Sequence, residues 1–176
     1  MKHFSFYCSF LLISTSLFSQ FQPLDRESRI AFTIKNLGFT VTGAFSGIKG
    51  TILFDPQNLP GSSINVSVDA ASVNTDNSMR DDHLRGETYF DVKRYPKISF
   101  VSTNITALRN RSFLVTGKLT IKNISKEISI PFTVKQVPGG FAFVGSFSIN
   151  RRDFDVGGTS IISDMLIVDL TVLATK

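Results

Sequence analysis

The residues whose types could carry chemistry lie together in one charged segment, from Ser72 to Phe100. It contains His83, the only histidine beyond His3, and the carboxylates of Asp81 and Asp82 precede it directly. A hydrolase needs a serine or cysteine nucleophile as well, and no nucleophile-elbow motif accompanies these residues. Because adjacent residues of a helix point about 100° apart, Asp82 is badly placed to orient His83. The sequence therefore predicts no catalytic residue, and a hydrolase that uses His83 is only a remote alternative.

The same segment is not typical of a metal site. Zinc takes three or four Cys, His or carboxylate ligands, and the chain has one cysteine, Cys8, and two histidines. The acidic residues Asp76, Asp81 and Asp82 lack the spacing of a calcium-binding loop. We therefore expect no metal ion and no cofactor.

The basic residues of the segment suggest a binding site instead. Arg80, His83 and Arg85 fall within one and a half turns of a predicted helix, and Arg151 follows a strand with an apolar face. At the mouth of an apolar cavity, such cations would bind the polar or anionic head of a ligand whose hydrocarbon tail lies inside. The alternative is that they are solvated surface charges paired with neighbouring aspartates.

The elements that must position these residues are predicted to be β-strands. Apolar and polar residues alternate with a period of two over most of the chain, a pattern typical of strands with one buried face. A short helix is predicted between the capping residue Asn77 and the stop signal Gly86. The predicted strands lie near residues 30–35, 43–54, 63–69, 98–106, 112–122, 128–134, 141–149 and 164–174. Eight strands with short turns favour an all-β fold, an eight-stranded antiparallel barrel, because closure removes exposed edges.

The apolar faces of these strands are rich in phenylalanine, with 17 in the chain and no tryptophan. An eight-stranded barrel either packs its interior with side chains or encloses one small ligand. Both interpretations stay open: a core filled by its own phenylalanines, or an apolar tunnel. The candidates for lining a tunnel are Phe32, Phe100, Phe132, Phe143 and Phe147.

Residues 1–19 have the pattern of a cleaved secretory signal peptide, with a basic start, an apolar run and small residues near the end. The apolar run of about 15 residues is shorter than the roughly 20 that a spanning helix needs. We therefore expect a periplasmic or secreted domain of residues 20–176 without stable membrane insertion. The net charge of +5 is spread along the chain without a basic run, so nucleic-acid binding is not expected.

Several motifs in this order resemble the YceI-like polyisoprenoid-binding family, over about residues 28–174. They are SRIAFTIKNLGFTVTGAFSGIKGTILFD (28–55), SVNTDNSMRDDHLRGETYFDVKRYPKISFVS (72–102), GKLTIKNISKEISIPF (117–132) and FSINRRDFDVGG (147–158). The chain departs from the family's usual pattern at Asn123 and Asp155, where glycine is common.

The resemblance implies a lipocalin-like barrel that encloses a long-chain amphiphile such as a polyprenyl diphosphate, a quinone or a fatty amide. It implies an exported carrier or sequestering protein without covalent chemistry, and, since members are often dimeric, it allows a homodimer. The alternative function is a structural or stress-associated envelope module whose core is filled by side chains.

Overall fold

Alternating apolar residues form ten β-strands and one α-helix in the computed structural model, which describes residues 19–176. The strands are β1 (Gln20–Pro23), β2 (Arg29–Asn36), β3 (Phe39–Phe45), β4 (Lys49–Leu53), β5 (Ser63–Asp69), β6 (Lys97–Ala107), β7 (Ser112–Ile121), β8 (Ile124–Val137), β9 (Gly140–Asn150) and β10 (Ile162–Thr175). Helix α1 spans Ser78–Arg85, and short 3-10 helices span Asp25–Glu27, Leu59–Gly61, Ala70–Ser72 and Arg151–Phe154. Most of the predicted signal peptide lies outside the described residues, so it stays a prediction.

The ten strands form a closed antiparallel barrel with eight strand positions around its wall. β1 and β2 together occupy one position, interrupted by a 3-10 helix, and both pair with β10. β3 and β4 together occupy the next position, where β3 pairs with β2 and β4 pairs with β1. The remaining strands, β4 to β10, pair in chain order. The predicted eight-stranded antiparallel barrel with one short helix is confirmed.

The break between β3 and β4 falls within the stretch predicted as one strand, residues 43–54. Gly47 has a φ of +75° there, in the left-handed region that suits glycine. A Cβ atom on Gly47 would lie 3.0 Å from the Cβ of Asp69, so this neighbour also favours glycine. The chain therefore turns away from β3 before it re-enters the barrel as β4.

The two departures from the family's glycines lie at turns with left-handed backbone. Asn123 has a φ of +63° between β7 and β8, and Asp155 has a φ of +52° after the last 3-10 helix. Asn and Asp tolerate this conformation better than most residues with a Cβ atom. The turns thus keep a glycine-like conformation without glycine.

Helix α1 has the predicted boundaries. The side chain of Asn77 accepts a hydrogen bond from the backbone N–H of Arg80 at 3.0 Å, and Gly86 is the C-cap. The buried carboxylate of Asp81 accepts hydrogen bonds from the backbone N–H and the hydroxyl of Thr75. These contacts fix the helix against the segment that precedes it.

Phenylalanine rings fill one end of the barrel. The Phe54 ring makes edge-on contacts with those of Phe113, Phe141 and Phe143, at centroid distances of 5.3–5.5 Å. We call this cluster, completed by Phe21 and Phe132, the aromatic plug. It closes the end at which the β6–β7 and β8–β9 hairpins turn, while helix α1 and the loop after β9 cover the other end.

Candidate functional site

An apolar space divided into two cavities runs along the inside of the barrel. The lower cavity, about 140 Å³, lies above the aromatic plug and is walled by residues that include Ile52, Val115 and Phe132. The upper cavity, about 160 Å³, extends to the other end, where Leu84 of α1 and Arg151 border it. Both cavities are walled by apolar atoms. The interior therefore accepts hydrocarbon and offers no partner to a buried polar group.

Six apolar side chains border both cavities and form a ring that we call the waist. They come from six different strands, and two adjacent pairs are register partners across neighbouring strands. The waist consists of Ile30, Val68, Ile98, Leu119, Phe147 and Val168. A ligand that occupies both cavities must pass through this ring.

The shape of the space is long and narrow. Along β10 the lining residues extend from Val172 in the lower cavity to Ile162 in the upper one. The register shifts between Ile162 and Leu166, where four residues of β10 lie opposite two of β2, so the strand advances by about eight regular steps. At about 3.3 Å each these make roughly 26 Å along the strand. Since barrel strands tilt by about 40° from the axis, the lined length is roughly 20 Å. This shape suits an extended chain better than a fused ring system.

All five phenylalanines proposed from the sequence line this space. Phe32 borders the upper cavity, Phe100, Phe132 and Phe143 border the lower one, and Phe147 lies in the waist. Their contact with a ligand stays a prediction. Phe132 and Phe143 also belong to the aromatic plug. A core filled by phenylalanines therefore describes the plug end of the barrel, and an apolar tunnel describes the rest of the interior.

Arg151 borders the upper cavity, as the sequence predicted, but its guanidinium group is already occupied. The residue is only 3% exposed. Its N–H groups donate to one carboxylate oxygen, of Asp164 at 3.0 Å. They also donate, at 2.7–3.2 Å, to the backbone carbonyls of Val156, Gly158, Ser160, Ile162 and Ser163. Arg151 thus organises the loop between β9 and β10, and a head-group contact from it would require at least one of these bonds to break.

Arg80 and Arg85 also bind the protein itself, and neither borders either cavity. Arg80 donates to the hydroxyl and the backbone carbonyl of Thr75, both at 2.7 Å. Arg85 donates to the carbonyls of Ala71 and Val73, at 2.8 and 3.0 Å, and pairs with Asp82. Both arginines attach α1 to the segment before it, so their proposed head-group contacts stay predictions.

His83 is exposed to solvent on α1 and borders neither cavity, so its proposed head-group contact stays a prediction. Its ring contacts that of Tyr89 edge-on, at a centroid distance of 5.2 Å. Within residues 19–176 its side chain makes no hydrogen bond to a serine or a carboxylate that would give it a catalytic partner. In the same range, no group of three or more His, Cys, Asp or Glu side chains is arranged to hold a metal ion.

The loop after α1 forms the remaining cover of the upper cavity, through Tyr89 and Phe90. It is held to the β9–β10 loop by a hydrogen bond from the N–H of Gly157 to the carbonyl of Thr88, at 2.8 Å. Within the loop, the buried carboxylate of Asp91 accepts a hydrogen bond from Arg94, and this bond raises the pKa of that guanidinium. The cover is a linked set of loops rather than a single flap.

Sequence reasoning placed the segment Ser72–Phe100 at the rim of the barrel, but it missed most of the waist and the cavity-lining residues Tyr89 and Phe90. The waist residues other than Phe147 are aliphatic and follow the same alternation as any barrel interior, so no signal in the sequence distinguishes them. Tyr89 and Phe90 lie in a segment without periodicity. Only their aromatic character in an otherwise charged loop could have suggested that they face the interior.

Comparisons with known proteins agree with this architecture. The family profile described as the YceI-like domain matches residues 21–174. A UPF0312 protein from Pseudomonas syringae pv. tomato is 33% identical over 177 residues, which cover 92% of each chain. No helix within the described part of the chain is both long and apolar enough to span a membrane.

Two solved structures show the same fold. BcnA from Burkholderia cenocepacia superposes with a TM-score of 0.81 at 29% identity, over 88% of this chain and 99% of that one. A polyisoprenoid-binding domain from Saccharophagus degradans gives a TM-score of 0.70, over 90% of this chain and 99% of its own. At 14% identity, this second likeness concerns the fold alone.

Proposed function

Because this chain belongs to the YceI-like family, we propose that it is an exported carrier or sequestering protein for a long-chain isoprenoid or a similar amphiphilic lipid. The ligand classes are polyprenyl diphosphates, quinones and fatty amides, bound without covalent chemistry. The observation that carries the proposal is the apolar space on both sides of the waist. The choice of ligand class follows the family resemblance, and the polyisoprenoid-binding domain is an example of such binding by a protein of this fold.

The size of the space sets the length of hydrocarbon that it holds without rearrangement. Each cavity, of about 140 and 160 Å³, is close to the roughly 150 Å³ cavity that holds one benzene molecule. Six carbons in each cavity make about twelve in all. A longer tail must displace side chains or extend beyond the mouth of the upper cavity, which is the end that Leu84 and Arg151 border.

This length is enough for useful affinity. About 0.8 kcal/mol per buried methylene gives roughly 10 kcal/mol for twelve carbons. Association costs about 4 kcal/mol or more, which leaves about 6 kcal/mol or less, a dissociation constant of tens of micromolar or weaker. The tail then supplies most of the affinity, and the head group stays at the mouth, since the walls offer it no polar partner.

The alternative is a structural or stress-associated envelope module whose core is filled by its own side chains. The aromatic plug favours it, because six phenylalanines fill one end of the barrel. The cavities above the plug argue against a structural module, because a filled core leaves no space for about twelve carbons.

Native mass spectrometry distinguishes the two proposals. The exported protein is mixed in turn with a quinone, a prenyl diphosphate and a fatty amide, and the masses of intact complexes are recorded. The carrier is expected to take up one molecule of at least one class. A barrel that remains lipid-free with all three classes contradicts the carrier and supports the filled-core module.

Export and a homodimer belong to the same proposal. Export is supported by the pattern of residues 1–19, and amino-terminal sequencing of protein recovered outside the cytoplasm tests it. The family resemblance allows a dimer, and light scattering coupled to size-exclusion chromatography measures the mass in solution.

A further inference from the structure

The turn between β2 and β3 exposes a large apolar side chain in an unfavourable backbone conformation. Leu37 and Gly38 form a two-residue hairpin turn with φ angles of +49° and +84°. Asn, Asp and Gly are the usual residues at the first position of such a turn, because few others tolerate a positive φ. Leu37 is nevertheless 70% exposed. Neither its backbone nor its side chain stabilises the fold, which suggests that the residue serves another purpose.

Two further apolar side chains stand beside Leu37. Phe39 is 77% exposed and Ile161 is 74% exposed. Asn36 is the register partner of Phe39 on one side and of Ile162 on the other, so β3, β2 and the start of β10 lie side by side here. We call Leu37, Phe39 and Ile161 the rim knob.

One member of the rim knob, Phe39, continues the apolar lining of the upper cavity. Cross-strand partners point to the same face of a sheet, so Phe39 is on the same face as Asn36. Since side chains alternate along β2, this is also the face of Ile34 and Phe32, and both border the upper cavity. Phe39 therefore extends the inner apolar surface beyond the end of the barrel.

The charge around the rim knob is favourable for an anionic surface. Residues 30–45 carry one charged residue, Lys35, and no acidic one. The segment 156–163, which leads to the start of β10, carries no charge at all. The next residue of β10 with a carboxylate, Asp164, is paired with Arg151 and Arg152.

We propose that the rim knob inserts into the interfacial layer of an anionic lipid bilayer and brings the mouth of the upper cavity to the membrane. Amphipathic elements of soluble proteins bind in this layer at shallow depth and reversibly. A lipid tail could then pass along Phe39 and Ile34 into the barrel without crossing water. This inference rests on the proposed carrier function, because the membrane is the source of the lipid that the cavity takes up.

The test uses a double variant that keeps the fold. Leu37→Asn creates an Asn-Gly turn, the favoured sequence for this hairpin, and Ile161→Ser removes a second exposed side chain of the rim knob that borders neither cavity. The matched control, Leu108→Asn with Val144→Ser, removes two exposed apolar side chains elsewhere, one of them at the opposite end of the barrel. Thermal melting of all three proteins verifies that each is folded.

Two readouts separate this inference from the carrier function. The first is co-flotation with vesicles of phosphatidylcholine and phosphatidylglycerol, and the second is uptake of a quinone added from ethanol without vesicles. We expect the rim-knob variant to bind vesicles at least tenfold more weakly than the control variant and the unmodified protein, with unchanged uptake from ethanol. Equal vesicle binding by all three overturns the inference, and so does a rim-knob variant that only loses a dimer. Failure of the unmodified protein to take up quinone from ethanol contradicts the carrier function instead.

Discussion

Blocking the waist should shorten the hydrocarbon chain that the barrel can bind. Val68 lies in the waist, with Ile98 as its partner on β6, and its side chain borders both cavities. In Val68→Phe the larger ring extends into the passage between the cavities. The upper cavity remains accessible from the mouth, while the lower cavity is cut off.

The expected loss follows from the size of the lower cavity. Its roughly 140 Å³ corresponds to about six carbons. At about 0.8 kcal/mol per methylene these contribute roughly 5 kcal/mol, or about 4 × 10³-fold in the dissociation constant. This is an upper limit, because a long chain can fold back or remain in water at smaller cost. A tail of about six carbons, which fits the upper cavity alone, should lose almost nothing.

The assay is a series of fatty amides of increasing length, with dissociation constants measured by competition against a fluorescent member of the series. In the unmodified protein each added carbon should strengthen binding about fourfold until about twelve carbons. In Val68→Phe the gain should stop near six. The matched control is Val144→Phe, which adds the same ring at an exposed position on β9.

The reasoning is refuted if Val68→Phe gains affinity with every added carbon up to twelve, as the unmodified protein does. A uniform loss at all lengths would also contradict it, since that result would place the damage at the mouth rather than at the waist.

Three further substitutions test other parts of the account. Arg151→Met leaves five carbonyls without their donor and should lower the free energy of unfolding by about 3–5 kcal/mol in urea titrations, whereas a loss below about 1 kcal/mol would contradict its structural role. Gly43→Ala places a Cβ atom 2.4 Å from the ring of Phe32, and thermal or urea unfolding should show a destabilisation of about 1–3 kcal/mol; an unchanged stability would show that the ring moves freely. His83→Ala should weaken binding of a prenyl diphosphate by up to about fivefold, the strength of an exposed ion pair, but not binding of a quinone with the same tail; equal effects on both would argue against a head-group contact.

The strand pattern was sufficient to predict the barrel, because alternation along each strand depends only on which face is buried. The same holds for α1, whose ends are set by the local capping residues Asn77 and Gly86. The break between β3 and β4 could not be predicted in this way. It depends on the approach of Asp69 to Gly47, which are distant in sequence.

The site was predictable only in part, for a related reason. Periodicity placed Phe32 and Phe147 on the inner face, but whether an inner face leaves a cavity depends on how all the side chains pack. The arginines were chosen for their charge, which the sequence displays. The hydrogen bonds that engage Arg85 and Arg151 go to backbone carbonyls, and only the folded chain shows where those lie.

The central claim is that the barrel carries a long hydrocarbon chain, and the most direct measurement is identification of the lipid that the protein acquires in its own compartment. The exported protein is purified without detergent, extracted with organic solvent, and the extract is analysed by mass spectrometry. We predict close to one lipid per protein, with an unbranched or isoprenoid chain of at least about twelve carbons. Protein that carries no lipid in stoichiometric amount, and whose native mass does not change with quinone, prenyl diphosphate or fatty amide, would contradict the account.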